Sequence, residues 1–187
     1  MNQNILFFDT ETTAKDPSEA RLVQLAYLLT DEEGGELEAY DQIVRPDGFV
    51  IPSSVTQIHG ISHSLAMERG ISGELALAAL FMVARKASML VAHNIWYDMA
   101  VIQNEVESRL LDPPADFMGK ASFCTMQSTT NILRIGWNSK YNTYKWPRLS
   151  ELYYFLFKAD FENAHTAMAD VRATAKCFFE IKKRGWI

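Results

Sequence analysis

The chain has 187 residues, of which 48% are hydrophobic and 22% are charged, and its formal net charge is −5 at pH 7. This length predicts one domain over residues 1–187 with a substantial core, and the negative charge argues against a generic nucleic-acid binder. The apolar runs are too short to cross a bilayer, no secretory signal precedes them, and the two cysteines form no metal-binding cluster. We therefore expect a cytoplasmic protein with no membrane partner.

The first half of the chain predicts strands followed by helices. ILFFD is a buried strand, and RLVQLAYLLT and ELEAYDQIVRP form a hairpin after it. The segment SSVTQIHGIS is typical of a short helix or turn. A longer helix follows over LALAALFMVARKA, for which Ser72 is the expected N-cap.

The second half alternates strands with helices. SMLVAH is predicted as a buried strand and ASFCT as a core strand, each followed by a helix. GWNSKYNTYKWP is irregular and rich in aromatics, and two more helices end the chain. A meander followed by alternating strands and helices predicts an α/β domain with a mixed sheet. Such sheets carry their sites at the carboxyl ends of their strands.

Two carboxylates stand at the end of the first strand. Asp9 and Glu11 point to the same face, where two like charges about 5 Å apart repel by roughly 3 kcal/mol. Asp98 and Asp170 each begin the core-facing stripe of a helix. An aspartate at a helix start is more often a cap than a metal ligand. Because an unpaired buried carboxylate is costly, each of these two has three candidate partners: a helix N-terminus, a basic residue, or a shared metal ion.

His165 lies in the loop that enters the last helix, where its imidazole can reach a site built on Asp170. It is therefore a candidate general base, although a lone histidine is more often a surface or capping residue. Four carboxylates without a basic residue among them suit hard divalent ions. The pattern predicts two such ions, Mg²⁺ or Mn²⁺, which is a known arrangement for displacement at phosphorus.

Three motifs occur in a fixed order along the chain: DTETT, AHNIWYD and HTAMAD. Each is weak alone, whereas the ordered set is specific. With IHGIS, ASFCTM and KWPRLSELYYFLF, the set resembles the histidine branch of the DEDD exonuclease superfamily over nearly the whole chain. This branch contains the proofreading epsilon subunit of bacterial DNA polymerase III. The resemblance implies a ribonuclease H-like fold, with a mixed five-stranded sheet flanked by helices, and 3′→5′ removal of nucleoside monophosphates.

The resemblance also implies a role for each matched residue. Asp9 would bridge both ions, Glu11 and Asp170 would complete one ion site, and Asp98 would support the second ion through water. His165 would activate the attacking water. The residues expected to hold the 3′-terminal nucleotide are Thr10, Thr12, His59, Gly60, Ile61 and Asn94.

A segment without acidic residues, 117–150, suggests a further substrate contact. Lys140, Lys145 and Arg148 are candidates for phosphate contacts. The aromatic residues available for base stacking are Trp137, Tyr141, Tyr144 and Trp146. Alternatively, Trp146 and the two tyrosines pack on the core and the cations are merely solvated.

The sequence departs from the family pattern at three positions. Ala14 stands where the family usually has glycine after DTETT, Tyr97 replaces a common phenylalanine, and Val171 replaces a common alanine. We expect an altered loop at Ala14, a mild effect at Tyr97 and only a packing change at Val171. The chain ends at KKRGWI, which favours a stand-alone or phage-like enzyme.

Other functions compete with a DNA exonuclease. An RNA exonuclease of the same branch, of the oligoribonuclease or tRNA-trimming type, would share the metal chemistry. A phosphatase with an aspartyl nucleophile would want D-x-D and leaves Asp98 and His165 unexplained. A non-catalytic subunit that binds nucleic acid or a polymerase gives no reason to keep five matched groups. The expected partner is a single-stranded 3′ end, with DNA favoured over RNA and a DNA polymerase as a further candidate.

Overall fold

The computed structural model describes residues 3–162 and 166–187. Its main sheet has five strands, in the order β3-β2-β1-β4-β5. The strands are β1 Ile5–Thr12, β2 Leu22–Thr30, β3 Glu36–Ile43, β4 Met89–Ala92 and β5 Ala121–Cys124. β1, β2 and β3 form an antiparallel meander, whereas β4 runs parallel to β1 and β5 runs parallel to β4. The prediction of an α/β domain with a mixed five-stranded sheet is confirmed.

Helices cover both faces of this sheet. They are α1 Ser53–His59, α2 His63–Arg69, α3 Gly73–Ala84, α4 Ile95–Ser108, α5 Ala115–Met118, α6 Thr125–Leu133, α7 Leu149–Phe157 and α8 Ala167–Lys183. Ser72 caps α3 as predicted, since its side chain accepts a hydrogen bond from the Leu75 backbone N–H at 3.4 Å. Over residues 3–162 and 166–187, no helix has the length and apolar character that a membrane span requires.

The alternation of side chains along β1 divides the core between two faces. Leu6 and Phe8 pack in the cluster that contains side chains of α3 and α4. Phe7 packs on the other face, with Val171 and Phe178 of α8. Because the alternation continues to the end of the strand, Asp9 and Glu11 follow Phe7 and point to the α8 face. The four apolar residues thus fix where the two carboxylates are presented.

Two expectations about elements are corrected by the structure. β5 is an edge strand with exposed Ala121 and Ser122, because in the described sheet it pairs only with β4. The irregular aromatic segment contains a small hairpin, β6 Trp137–Asn138 paired with β7 Thr143–Tyr144. The short helix or turn expected after Pro52 is confirmed as α1, which ends at His59, and a second helix, α2, follows it.

A buried ion network ties α4 to the start of β2. The Glu105 carboxylate, 1% exposed, accepts hydrogen bonds from Arg21 Nε at 2.8 Å and from Arg109 Nε at 3.0 Å. It also accepts one from the Leu22 backbone N–H at 2.9 Å. Arg109 in turn pairs with Glu74 at 2.6 Å. One buried carboxylate therefore satisfies three donors, of which Arg109 and the Leu22 N–H are themselves buried.

Glu105→Ala should lower the free energy of unfolding by about 3–5 kcal/mol, because it leaves two guanidinium groups and a backbone N–H without their acceptor. Urea unfolding at pH 7 measures the change. Glu107→Ala, on the exposed side of the same helix, is the matched control and should change the free energy of unfolding by about 0.5 kcal/mol or less. Equal effects of the two substitutions would contradict a stabilising role for the network.

Candidate active site

Three carboxylates meet where β1 ends and α8 begins. Asp9 and Glu11 leave the sheet on the α8 face, and Asp170 stands in the first turn of α8. One oxygen of each lies within 4.8 Å of the oxygens of the other two, and all three residues are half-buried. The structure therefore brings together three of the four acids that the sequence predicted to share a site.

The electrostatics of this group favour a bound cation. Burial and the charges of Asp98, Asp170 and Glu11 raise the pKa of Asp9 well above its usual range. Burial, Asp170 and Asp98 raise the pKa of Glu11 to about 8. Glu11 thus holds a proton at neutral pH unless a bound cation replaces it. Closely spaced carboxylate oxygens are the ligands that Mg²⁺ and Mn²⁺ prefer, so the donor set fits such an ion.

Asp98 approaches from the α4 side of the sheet. It is 3% exposed, and its Oδ1 accepts the Thr10 backbone N–H at 3.0 Å and the Thr10 hydroxyl at 2.7 Å. Burial raises the pKa of Asp98 to about 7, although both Thr10 bonds favour the ionised form. Asp98 is therefore a positioned acid beside the group of three, and Thr10, predicted as a substrate contact, is its partner.

Thr10→Val should lower kcat about ten-fold or more with little change in KM, because it removes the hydroxyl that donates to Asp98 and orients its carboxylate. Steady-state hydrolysis of an oligonucleotide measures both constants. Thr30→Val is the control. Thr30 is also a buried strand threonine, but it ends β2, where it pairs with Ile5 at the opposite end of β1 from the acids. If both variants keep the wild-type kcat, the Thr10 hydroxyl does not position Asp98 for catalysis.

A cleft of about 370 Å³ lies beside the acids. Its lining includes four residues that were predicted to contact the substrate: Thr10, Thr12, His59 and Asn94. Gly60 and Ile61 do not line it, since Gly60 ends α1 with φ 77° and Ile61 is buried against Val23 and Ala66. Substrate contacts by these residues stay a prediction.

His59 lines this cleft and carries a buried polar atom. Its Nδ1 accepts the Ile61 backbone N–H at 3.1 Å, so the ring proton belongs on Nε2. Nε2 is buried and has no hydrogen-bond partner among the described residues. Burial lowers the pKa of His59, which keeps the ring neutral. The imidazole is thus a neutral ring whose Nε2–H is enclosed by the protein.

Two of the departures from the family pattern contact each other. The Tyr97 hydroxyl donates to the Ala14 carbonyl and hydrogen-bonds the Thr12 hydroxyl. Sequence reasoning treated Tyr97 as a mild change and missed this link. A tyrosine beside a motif aspartate was the available signal. Val171 is fully buried against the sheet, as expected of a packing residue.

The residues of the acid-free segment are placed unequally. Lys145 Nζ pairs with Glu151 at 3.1 Å, and Lys140 Nζ stands 5.1 Å from the centre of the Tyr141 ring. Trp137, Tyr141 and Trp146 are exposed, so the alternative of core packing is wrong for Tyr141 and Trp146. Arg148 is the residue before α7. His165, the predicted general base, lies outside the described residues.

Solved structures of known exonucleases share this fold. Exonuclease I from Methylocaldum szegediense aligns with a TM-score of 0.75 at 25% identity, over 97% of this chain and 40% of that one. E. coli Exonuclease I in complex with a dA16 oligonucleotide aligns with a TM-score of 0.73 at 25% identity, over 97% and 41%. An apo Exonuclease I gives 0.75 at 23% identity, over 98% and 42%. These likenesses confirm the predicted ribonuclease H-like fold.

The chain spans about two fifths of the length of these structures. No curated protein matches it in sequence. The family described as RNase_T, exonuclease, matches residues 6–178, which include Asp9, Glu11, Asp98 and Asp170. The chain therefore belongs to the RNase_T exonuclease family.

Proposed function

We propose that the protein is a metal-dependent 3′→5′ exonuclease of the histidine branch, which hydrolyses phosphodiester bonds and releases nucleoside 5′-monophosphates. The observation that carries the proposal is the group of Asp9, Glu11 and Asp170, whose oxygens lie within 4.8 Å of one another. A bound cation would offset the repulsion among these carboxylates. A cation bound here would lie at the edge of the cleft.

The proposed roles follow from the position of each acid. Asp9, at the centre of the group, would be shared by two Mg²⁺ or Mn²⁺ ions, with Glu11 and Asp170 on one of them. Asp98, fixed by Thr10, would support the second ion through water. The ions would supply positive charge to the attacking and leaving oxygens. His165 is proposed as the base that takes a proton from the attacking water.

The cleft beside the acids is the proposed place of the 3′-terminal nucleotide. Thr12, His59 and Asn94 line it and are the proposed contacts of that nucleotide. Lys140 and Lys145 are proposed to meet phosphates further along the strand, with Lys145 exchanging its Glu151 partner for phosphate.

DNA is the proposed substrate. The E. coli Exonuclease I structure that shares this fold holds a dA16 oligonucleotide, which supports a single DNA strand in this chain as well. An RNA exonuclease and a non-catalytic polymerase-binding subunit remain the alternatives that the experiment must separate. A cytoplasmic, reducing setting fits the two buried free cysteines, Cys124 and Cys177.

Initial rates on two 5′-labelled strands of equal sequence, one DNA and one RNA, test the proposal. In Mn²⁺ we expect both to shorten from the 3′ end, with DNA faster, and EDTA to stop both reactions. A faster reaction on RNA would assign the protein to the RNA-processing group. Folded protein that binds both strands without shortening either would support the non-catalytic subunit.

A further inference from the structure

The small hairpin projects an aromatic surface into solvent. We call residues 135–147 the aromatic arm. Hydrogen bonds from the Lys145 backbone N–H to the carbonyls of Ile135 and Gly136, at 3.1 and 2.9 Å, close its base. Trp137, Tyr141 and Trp146 are 57%, 67% and 55% exposed. The arm lines a groove of about 530 Å³, formed by Asn138, Tyr141, Thr143, Tyr144, Lys145 and Trp146. An exposed aromatic surface of this kind is typical of a site that binds a partner.

The charges around the arm identify the kind of partner. No acidic residue occurs in 117–150, although the whole chain carries a net charge of −5. Lys140 Nζ stands 5.1 Å from the centre of the Tyr141 ring, and the Arg134 guanidinium stands 5.8 Å from that of Tyr144. Exposed rings interleaved with cations suit a single-stranded nucleic acid, whose bases stack on the rings while its phosphates meet the cations.

The arm is anchored beside the catalytic acids by His93. His93 directly follows β4, the strand that runs parallel to β1, and precedes Asn94, which lines the cleft together with Glu11. His93 Nε2 donates to the Pro147 carbonyl at 3.0 Å, and its Nδ1 accepts the Thr125 hydroxyl at 2.9 Å. The end of the arm is therefore held by the residue next to the cleft lining.

We infer that the aromatic arm binds the single strand upstream of the 3′-terminal nucleotide by stacking its bases on Trp137, Tyr141 and Trp146. This inference rests on the proposed function, because it takes the strand that the active site would shorten as the partner. It goes beyond that function in making affinity depend on strand length. A long strand reaches the arm, whereas a substrate of one nucleotide fills only the cleft.

Kinetics on a long and a short substrate test the inference. For Tyr141→Ala/Trp146→Ala we expect KM for a dT12 strand to rise at least about ten-fold, since base stacking on one ring contributes roughly 1–3 kcal/mol. Hydrolysis of the p-nitrophenyl ester of thymidine 5′-monophosphate should keep its wild-type constants. Tyr154→Ala, an equally exposed aromatic of α7 outside the arm, is the matched control and should change neither. Unchanged KM for dT12 in the double variant would overturn the inference.

Binding without turnover separates this inference from the proposed function. Fluorescence anisotropy of labelled dT12 in EDTA at low salt should show at least about ten-fold weaker binding for the double variant than for wild type and Tyr154→Ala. Tyr141→Ala alone, at the most exposed ring, gives the same test with little risk to folding. Arm-dependent binding by a protein that shortens no strand would reject the exonuclease and keep the arm. Equal binding of dT12 by all variants would reject the inference that the arm binds the single strand. This outcome includes the case in which the partner of the arm is a protein.

Discussion

Asp9→Asn should lower turnover on single-stranded DNA by about a thousand-fold or more, equivalent to about 4 kcal/mol in the activation barrier. Asp9 lies at the centre of the acid group, where Glu11, Asp98 and Asp170 all act on its pKa. The amide keeps the shape of the side chain but removes the anionic ligand on which the proposed ions depend. The loss should therefore appear in kcat, and added Mn²⁺ should restore little of it.

The same substitution should make the metal-free protein more stable, because it removes a carboxyl from a group of like charges. A rise of a few degrees in Tm in EDTA at pH 8 is the expected result. Asp47→Asn, an exposed aspartate in a loop, is the control and should change neither turnover nor Tm. An inactive Asp9→Asn protein with a lowered Tm would point to damaged folding and would contradict the assigned role.

The metal-free protein should lose stability as the pH rises from 7 to 9, and a divalent ion should restore it. Glu11 has a pKa near 4.5 when unfolded and about 8 in the fold. The native state therefore holds a proton that the unfolded state has released. A carboxyl of this kind contributes full stability below pH 4.5, and the contribution is lost as the pH rises through 8. We expect Glu11 to contribute a loss of about 1.4 kcal/mol between pH 7 and 9 in urea unfolding in EDTA.

Mg²⁺ or Mn²⁺ should take the place of the lost protons, so the stabilisation by either ion should grow as the pH rises. Burial lowers the pKa of His93 to about 4, but its contribution is complete above its usual pKa of 6.5, so it does not act between pH 7 and 9. Glu11→Gln should flatten the slope in EDTA. An equal slope in wild type and Glu11→Gln would show that other groups cause it.

The sequence was most informative where one segment determines its own environment. ILFF needs burial, and the alternation of β1 then places Asp9 and Glu11 together on one face. The apolar stripe of α4 likewise predicted a buried Asp98, which is 3% exposed. These inferences use only neighbours along the chain. These local inferences predicted both the acids of the strand and the acids of the helices in the site.

The rest depends on contacts between distant segments. The hydrogen bond from Thr10 to Asp98 joins residues that are 88 positions apart, and no local pattern predicts it. Tyr97 and Ala14 form a similar long-range pair. The two-residue strands of the aromatic arm are too short to show an alternation. The edge position of β5 follows from sheet order rather than from its own sequence.

Cleavage of one DNA strand labelled separately at each end is the most direct test of a metal-dependent 3′→5′ exonuclease. With Mn²⁺, the 5′-labelled strand should shorten one nucleotide at a time, and the 3′-labelled strand should release labelled nucleoside 5′-monophosphate from the earliest time point. EDTA should abolish both reactions. Internal fragments from the 3′-labelled strand, or turnover that persists in EDTA, would contradict the assignment of Asp9, Glu11 and Asp170 to a metal site for 3′-end hydrolysis.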